Sequence, residues 1–178
     1  MADQSKIEHE IHLTQDVSSA LVLTISDSAA NGDREDFSGP EVRRILVESG
    51  FDVLGLEVLP DERTMIQNRL RLACDREHVS LVVTTGGTGL SPRDVTPDAT
   101  ERIMDKEVPG MAEMMRLEGM KSTPRAALSR GLVAIRGSTL MVNLPGSVKG
   151  VQESLGALVS ILPHAIQVMR ASPLNCGE

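Results

Sequence analysis

The hydrophobic positions of this chain fall into short, continuous apolar runs that alternate with amphipathic stretches. Residues 20–25, 53–59 and 81–85 have the length of strands, and the first and third runs are rich in Leu, Val, Ile and Thr. Continuous apolar runs of this kind are typical of strands that are buried on both faces of a parallel sheet. Two further runs, 132–135 and 140–144, predict a fourth and a fifth strand on either side of a turn.

The stretches between these strands carry the period of amphipathic helices. Ser38 is the expected N-cap of the first helix, and Gly50 is its expected C′ residue. Thr96 is the expected cap of a helix that begins near Pro97, and Pro163 is expected to kink the last helix. Helices are predicted at about 40–49, 63–77, from 97, from 109 and at 147–169.

The resulting order of elements is β-α-β-α-β-α-α-β-β-α. Strands that alternate with helices predict an α/β fold of three layers, in which a mostly parallel sheet has helices on both faces. No linker divides the chain, so we expect a flexible N-terminal arm over 1–18, a single domain over 19–172 and a tail over 173–178. Ligands of such sheets bind outside the carboxyl ends of the strands, which selects the loops 26–38, 60–62, 86–96 and 145–147.

The composition narrows the range of functions. The chain has 178 residues and a net charge of −7, and its only aromatic residues are Phe37 and Phe51. This acidic chain favours neither nucleic acid nor an anionic membrane as a partner, and base stacking on aromatic rings is a very poor fit. No apolar run reaches the roughly 18–20 residues of a membrane span, and Cys74 and Cys176 form no CxxC pair. We therefore expect a cytoplasmic protein without a disulfide framework.

The most informative loop follows the third strand and contains Gly86, Gly87, Thr88 and Gly89. Glycines at the end of a buried strand allow several backbone N–H groups to converge on one anion, such as a phosphate. The loop is not a Walker A sequence, since no GK[ST] follows, and it is not a GxGxxG fingerprint. The same glycines also suit a tight turn that requires positive φ, so the spacing alone leaves both interpretations open.

Two carboxylates lie close to this loop in the predicted fold. Asp94 belongs to the loop and follows Arg93, which with Arg130 is a candidate for binding the phosphates, and Asp61 comes at the end of the second strand. If these strand ends are neighbours, both side chains face one cleft beside the phosphate nest, which is a set of ligands that suits Mg²⁺. The alternatives are that Asp61 only caps the following helix and that Asp94 only pairs with Arg93.

Other polar residues lie at the same rim or on neighbouring turns. Ser26, Asp27 and Ser28 end the first strand, where they offer hydroxyl donors and a carboxylate acceptor or form an ordinary turn. The amide of Asn143 has a paired donor and acceptor that can read the edge of a base or of a pterin. The remaining candidates lie on turns beside the predicted strands: Ser129, Arg130, Ser138, Pro145 and Gly146.

Eight segments of the chain match the sequence pattern of one known family in the same order. They are TISDS (24–28), DFSGP (36–40), PDE (60–62), TGGTGLSPRDVTPDAT (85–100), PG (109–110), LSR (128–130), RGST (136–139) and NLPG (143–146). Together they resemble the MogA/MoaB family of molybdenum-cofactor biosynthesis proteins, which includes the plant and gephyrin G domains. The similarity covers about residues 20–170, and the long glycine-containing segment is its most specific part.

The resemblance implies a compact α/β fold that is usually a homotrimer. It implies an enzyme that adenylylates molybdopterin: with ATP and Mg²⁺ it forms adenylylated molybdopterin and pyrophosphate, and the molybdate-insertion protein acts next. Asp61 and Asp94 match the two acidic positions that the family needs for catalysis, and we assign the Mg²⁺ to them. Thr88 and its glycine neighbours match the phosphate loop. The positions that match residues of the nucleotide and pterin sites are Ser26, Ser129, Ser138 and Asn143.

Two departures within the family bear on activity. Gly119 stands where plant relatives tend to carry Ser in the pterin region, which affects one polar contact. Some MoaB members replace the segment that corresponds to 92–96 and have no clear activity, whereas this chain keeps it. We therefore expect an enzyme, and the alternative is a molybdopterin carrier or scaffold that keeps the pocket without turnover. A generic nucleotide-binding regulator would explain the glycine loop but not the other segments.

Overall fold

The computed structural model describes residues 17–171 of the chain. The N-terminal arm that the sequence predicts over 1–18 lies outside the described residues except for its last two. The predicted tail over 173–178, with Cys176, lies wholly outside them. Within 17–171, no helix is both long enough and apolar enough to cross a membrane.

The described residues form six strands, seven α-helices and a 3₁₀ helix. In chain order these are β1 (Ser19–Ile25), α1 (Asp27–Ala30), α2 (Ser38–Glu48), β2 (Asp52–Leu59), α3 (Arg63–Asp75), β3 (Leu81–Thr85), α4 (Thr96–Glu101), β4 (Lys106–Glu107), α5 (Pro109–Met120), the 3₁₀ helix (Pro124–Leu128), β5 (Val133–Arg136), β6 (Thr139–Leu144), α6 (Val148–Leu158) and α7 (Leu162–Arg170).

The six strands form one sheet in the order β2-β1-β3-β6-β5-β4. β1 pairs in parallel with both β2 and β3, and β3 pairs in parallel with β6. β5 is antiparallel to β6, since a short turn at Gly137 joins them, and it is also antiparallel to β4. The carboxyl ends of β2, β1, β3 and β6 therefore lie side by side at one end of the sheet. The predicted α/β fold with a mostly parallel sheet is confirmed.

Each face of the sheet has its own hydrophobic core, because successive residues of a strand point to opposite faces. Val22 and Val83 belong to the core that α2, α5, α6 and α7 cover. Leu21, Leu23 and Val82 belong to the core that α3 and α4 cover. Strands that are covered on both faces keep no alternation of apolar and polar residues, which explains the continuous apolar runs in the sequence.

The predicted single helix over 147–169 is wrong, because the structure contains α6 and α7 separated by residues 159–161. Pro163 does not kink a continuous helix. It lies in the first turn of α7, where the N–H that proline lacks would have no partner within the helix. Ser147 caps α6 by accepting a hydrogen bond from the N–H of Gly150 at 3.1 Å.

The two predicted N-caps are also wrong. Ser38 is the first residue of α2, and Oδ1 of Asp36 accepts hydrogen bonds from the N–H groups of Ser38 and Gly39. Thr96 is the first residue of α4, and its buried hydroxyl donates to the carbonyl of Gly86 at 3.0 Å. Thr96 therefore anchors the glycine loop that follows β3 instead of capping a helix.

The sequence pattern also did not indicate α1, β4 and the 3₁₀ helix. These elements contain four, two and five residues respectively. Such short elements do not complete enough of a helical or strand repeat to show a period of hydrophobic positions.

Candidate active site

Two adjoining cavities open at the carboxyl ends of the parallel strands. The first, which we call the α5–α6 cavity, has a volume of about 500 Å³ and lies between the glycine loop, α5, the 3₁₀ helix and α6. The second, the β1–α2 cavity, has a volume of about 350 Å³ and is lined by the segment that joins β1 to α2 and by Asp61. Gly87, Asp94, Gly146 and Ser147 line both cavities, so the cavities meet at these residues.

The glycine loop after β3 presents free backbone donors at this junction. Gly86 and Gly87 have φ values of 101° and 63°, which favour glycine, so the loop does require positive φ. The N–H of Gly86 donates to the carbonyl of Leu144 on β6. Among residues 17–171, the N–H groups of Gly87, Thr88 and Gly89 have no acceptor. Consecutive unpaired N–H groups in a glycine loop suit an anion such as phosphate.

Asp61 and Asp94 both border this loop and line the β1–α2 cavity. A Cβ atom placed on Gly87 would lie 3.0 Å from Oδ1 of Asp61. Oδ2 of Asp61 accepts a hydrogen bond from the N–H of Asp27, and Oδ2 of Asp94 accepts one from the N–H of Ser91, both at 2.8 Å. Each carboxylate therefore keeps its Oδ1 atom free of hydrogen bonds from the described residues.

The electrostatic surroundings of Asp61 suit a cation. Burial is the largest influence on Asp61 and raises the pKa of its carboxyl, and the negative charges of Asp27 and Asp94 act in the same direction. Mg²⁺ commonly binds to one or two carboxylates together with substrate phosphates. Among residues 17–171, no group of three or more acidic, His or Cys side chains is arranged to hold a metal ion. The two carboxylates thus fit a Mg²⁺ that is bound together with a phosphate.

Arg93 and Asp27 form an ion pair on the rim of the site. Nη2 of Arg93 donates to both carboxylate oxygens of Asp27, at 2.7 and 2.9 Å, and Nη1 lies 3.4 Å from the carboxylate of Glu62. The Arg93 guanidinium lowers the pKa of the Asp27 carboxyl. Neither Arg93 nor Asp27 lines either of these two cavities, and the ion pair between them joins two segments of the rim.

Arg130 supports the glycine loop from the side of β5. Its backbone N–H donates to the carbonyl of Thr88, and its Nε donates to the carbonyl of Gly89, both at 2.8 Å. Its Nη2 donates to the carbonyl of Asp94 and, at 3.0 Å, to the carboxylate of Asp98. The guanidinium of this predicted ligand-binding residue is therefore used to shape the loop.

The three predicted serines near the cavities have different positions. Ser26 lines the β1–α2 cavity and caps α1 by accepting a hydrogen bond from the N–H of Ala29. Ser28 lies 3.1 Å from Ser26, oxygen to oxygen, and lines neither cavity. Ser129 lines the α5–α6 cavity and accepts a hydrogen bond from the N–H of Gly131 at 3.2 Å.

The end of β6 brings Asn143, Pro145 and Gly146 to the α5–α6 cavity. Asn143 is fully buried, and its Nδ2 donates to the hydroxyl oxygens of Thr84 and Thr100 at 3.0 and 3.1 Å. Its Oδ1 has no hydrogen-bond partner within 17–171. Because its donor is committed to the protein, the amide does not offer a ligand the paired donor and acceptor that the sequence suggested.

Ser138 is not brought to this site, although the sequence places it among the candidates. It precedes β6, which runs parallel to β3 with Leu81 opposite Leu140. Ser138 therefore lies at the amino ends of these strands, at the opposite end of the sheet from Asn143. The hairpin between β5 and β6 is the physical reason, because it returns the chain to that end before β6 begins.

The sequence analysis did not identify the residues of the surrounding helices that line the α5–α6 cavity. Its charged residues are Arg116, Arg125, Lys149 and Glu153. Nη1 of Arg116 donates to the carbonyl of Gly131 at 3.0 Å, which fixes the turn before β5. Lys149 and Glu153 are four residues apart on α6, and this spacing alone is equally typical of a solvated helix face.

Comparison with known proteins identifies the class to which this fold and site belong. Residues 21–164 match the sequence model of a family described as a probable molybdopterin binding domain. The structure of the molybdopterin biosynthesis enzyme MoaB from Thermus thermophilus has 48% sequence identity and a TM-score of 0.83, and the match covers 88% of this chain and 99% of that chain. The chain therefore belongs to the molybdopterin binding domain family, within its MogA/MoaB members.

Two relatives of known name are also similar to this chain in sequence. The molybdopterin adenylyltransferase of Helicobacter pylori is 39% identical over 159 residues, which are 88% of this chain and 90% of that protein. The molybdenum cofactor synthesis protein cinnamon of Drosophila melanogaster is 45% identical over 150 residues, which are 83% of this chain and 25% of that protein. The chain thus spans almost all of the first relative and about a quarter of the second.

Proposed function

We propose that this protein is a molybdopterin adenylyltransferase, which transfers the adenylyl group of ATP to molybdopterin and releases pyrophosphate. The observation that carries this proposal is the junction of the two cavities. There, the unpaired N–H groups of Gly87, Thr88 and Gly89 lie beside Asp61 and Asp94. The relative from Helicobacter pylori with this activity in its name supports the proposal over most of the chain.

The reaction joins two anionic substrates. An oxygen of the terminal phosphate of molybdopterin attacks the α-phosphorus of ATP, a new P–O bond forms, and the bond to the β-phosphate breaks so that pyrophosphate leaves. A phosphate monoester dianion needs no strong base, so catalysis depends on positioning and on stabilisation of negative charge. Two cavities that meet at Gly87 and Asp94 suit this requirement, because each holds one substrate with its reacting phosphate at the junction.

The residues at the junction reduce the repulsion between the two phosphates. The N–H groups of the glycine loop donate to phosphate oxygens without reorganising, since the loop is already held by Thr96 and Arg130. Asp61 and Asp94 would hold Mg²⁺ through their free Oδ1 atoms. A bound Mg²⁺ supplies positive charge to the phosphate oxygens. Asp27 and Arg93 keep Asp61 in position at the rim.

The test is a turnover assay of the native chain with molybdopterin and ATP, with and without Mg²⁺, followed by chromatography of the pterin. Adenylylated molybdopterin and an equal amount of pyrophosphate are the expected products, and both should require all three additions. Binding of molybdopterin without any product would contradict the proposal and would leave a carrier or scaffold.

The proposal also covers the oligomeric state of the protein, its location in the cell and the protein that receives its product. We propose a homotrimer, for which the exposed apolar residues Met114, Leu117 and Met120 of α5 offer a contact surface. Sedimentation equilibrium of the full chain measures this directly, and a monomer at all concentrations would contradict it. We also propose a cytoplasmic location, and transfer of the product to a protein that inserts molybdate.

A further inference from the structure

The α5–α6 cavity contains a carboxylate that the proposed reaction does not use. Asp94 and Glu153 are the two acidic residues among those that line this cavity. Asp94 lies at the junction with the second cavity, whereas Glu153 belongs to α6. The side chain of Glu153 is only 20% exposed, and it accepts no hydrogen bond from residues 17–171. Its nearest cation, Nζ of Lys149, lies 3.7 Å from Oε1 and belongs to a side chain that is 72% exposed.

A largely shielded carboxylate that accepts no hydrogen bond from the protein depends on water or on a ligand for its donors. The Lys149 pair does not supply such a donor, since the distance exceeds that of a hydrogen bond and exposed pairs contribute little. The cavity therefore offers an acceptor with two free oxygens to any ligand that brings donors.

The position of Glu153 separates it from the phosphate junction. α6 begins at Val148, directly after Gly146 and Ser147 of the junction, and Glu153 follows five residues later. At 1.5 Å per residue, Glu153 is about 8 Å further along the helix axis than Val148. The carboxylate thus faces the same cavity at a distance from Asp94 and the glycine loop.

The cavity wall beside Glu153 includes small and apolar residues of α5 and the 3₁₀ helix. A Cβ atom on Gly119 would approach the Cβ of Ala126 to 2.8 Å and Oε2 of Glu153 to 3.9 Å. Ala112 and Met115 of α5 also line this part of the cavity. Gly119 therefore allows α5 and the 3₁₀ helix to pack closely beside the carboxylate, and Ala112, Met115 and Ala126 supply apolar surface next to it.

We infer that Glu153 binds the pyrimidine edge of the pterin ring and thereby sets the orientation of molybdopterin. This inference rests on the proposed function, because it takes molybdopterin as the occupant of the α5–α6 cavity. The 2-amino group and N3–H of a pterin form two adjacent donors on one edge, and a carboxylate accepts both at once. The pterin then lies along α6, and the terminal phosphate points to the glycine loop and Asp94.

Asn143, which the sequence suggested as the residue that binds the pterin edge, is less suited to that role than Glu153. Nδ2 of Asn143 already donates to Thr84 and Thr100, and Asn143 is fully buried. Its amide therefore has no free donor to pair with an acceptor on the pterin edge. Glu153 instead has two free acceptors, which match the two donors of that edge.

The experiment compares two probes that differ at this edge, 6-hydroxymethylpterin and 6-hydroxymethyllumazine, which has a carbonyl in place of the 2-amino group. Calorimetry gives the Kd of each probe for the native chain, for Glu153→Gln and for the control Glu113→Gln. Glu113 is an exposed residue of α5 that lines neither cavity. The Kd for ATP and the urea midpoint are measured for all three proteins.

We expect the native chain and Glu113→Gln to prefer the pterin over the lumazine by about tenfold to a hundredfold, the range for a hydrogen bond to a charged group. Glu153→Gln should lose most of this preference while its Kd for ATP and its urea midpoint stay unchanged. A merely structural role for Glu153 would change stability without changing the ratio of the two Kd values.

A preference that survives in Glu153→Gln, or that is absent from the native chain, overturns the inference. The turnover assay of the native chain, run in parallel, separates this failure from failure of the proposed function. If the native chain forms product and Glu153→Gln keeps the preference for the pterin, the proposed function stands and the proposed role of Glu153 is wrong. If the preference depends on Glu153 but the native chain forms no product, the pterin site stands and the proposed enzymatic activity is wrong.

Discussion

Asp27 and Asp61 exchange hydrogen bonds between backbone and side chain in both directions. The N–H of Asp27 donates to Oδ2 of Asp61 at 2.8 Å, and the N–H of Asp61 donates to Oδ1 of Asp27 at 2.9 Å. This reciprocal pair joins the end of β1 to the end of β2 and fixes the direction of the Asp61 carboxylate. Arg93 holds the other side of Asp27, so the rim residues position the candidate catalytic residue.

Asp27→Ala removes the acceptor for the N–H of Asp61 and the partner of Arg93. We expect kcat to fall about tenfold or more, because a small displacement of a reacting group strongly reduces the rate. The Kd for molybdopterin should change little, since Asp27 does not line the α5–α6 cavity. Asp27→Asn keeps an acceptor oxygen and should retain more activity than Asp27→Ala.

Steady-state kinetics and calorimetry check this expectation, with Asp33→Ala as the control on the same exposed segment. An unchanged kcat with weaker ATP binding would show that Asp27 contacts the nucleotide, as an acceptor carboxylate at the end of the first strand could.

Asp94→Asn tests the second carboxylate without changing its shape. An amide oxygen at this position can still accept the hydrogen bond from the N–H of Ser91, so the loop should keep its conformation. The lost negative charge should reduce turnover by at least about a hundredfold, the usual effect of removing one preorganised electrostatic contact. Molybdopterin binding and the urea midpoint should stay close to native values.

Glu101→Gln, on the exposed side of α4, provides the matched control for the change of charge. Turnover close to the native rate in Asp94→Asn would show that this carboxylate only shapes the loop. Loss of folding would likewise contradict the assigned role.

The layers of the fold were predictable from the sequence because burial on both faces leaves a direct signal. Leu21 and Val22 pack into different cores, so neither can be polar, and the strand appears as a continuous apolar run. The spatial order of the strands leaves no such signal. The proximity of Asp61 and Asp94 depends on β1 lying between β2 and β3, and only the structure shows this order.

The roles of single charged residues were less predictable than the fold. Arg93 and Arg130 are residue types that bind phosphates, yet their guanidinium groups contact Asp27 and the carbonyls of the glycine loop. A sequence pattern states which groups are present and not which partner each one takes. The position of Ser138 was unpredictable for a related reason, because the short hairpin between β5 and β6 returns the chain to the opposite end of the sheet.

Glu41 connects α2 to α6 and gives the stability a defined dependence on pH. Its Oε1 accepts hydrogen bonds from Arg44 and from Gln152 of α6, at 2.7 and 2.9 Å. These bonds, that of Arg44 above all, lower the pKa of Glu41 from 4.5 to about 2. Because the pKa is lower in the folded state, the stabilisation is complete above about pH 4.5 and is lost as the pH falls towards 2.

Arg44→Gln should therefore lower the urea midpoint slightly at pH 6 and have almost no effect at pH 2. Urea unfolding at several pH values measures this difference. Arg43→Gln is the control, since Arg43 is an exposed neighbour with no ion pair to the residues in 17–171. A difference between Arg44→Gln and the native chain that persists at pH 2 would show that the arginine stabilises the helix by another route.

Gly87 and Gly137 provide a matched pair that separates backbone strain from crowding at the site. Their φ values are 63° and 55°, so alanine at either position adopts the same left-handed conformation, which destabilises the fold by about 1–2 kcal/mol. A Cβ on Gly137 would meet no atom within 4 Å. A Cβ on Gly87 would collide with the hydroxyl of Thr96 and lie 3.0 Å from Oδ1 of Asp61.

Gly87→Ala should consequently be less stable than Gly137→Ala by about 1–3 kcal/mol, because the buried Thr96 hydroxyl must give up its hydrogen bond to the carbonyl of Gly86. It should also lose at least about tenfold in turnover, since Asp61 must move. Urea unfolding and the turnover assay measure the two effects. Equal stability of the two variants would show that the Thr96 side chain moves away without a cost in folding free energy. The left-handed backbone conformation would then be the only reason that position 87 requires glycine.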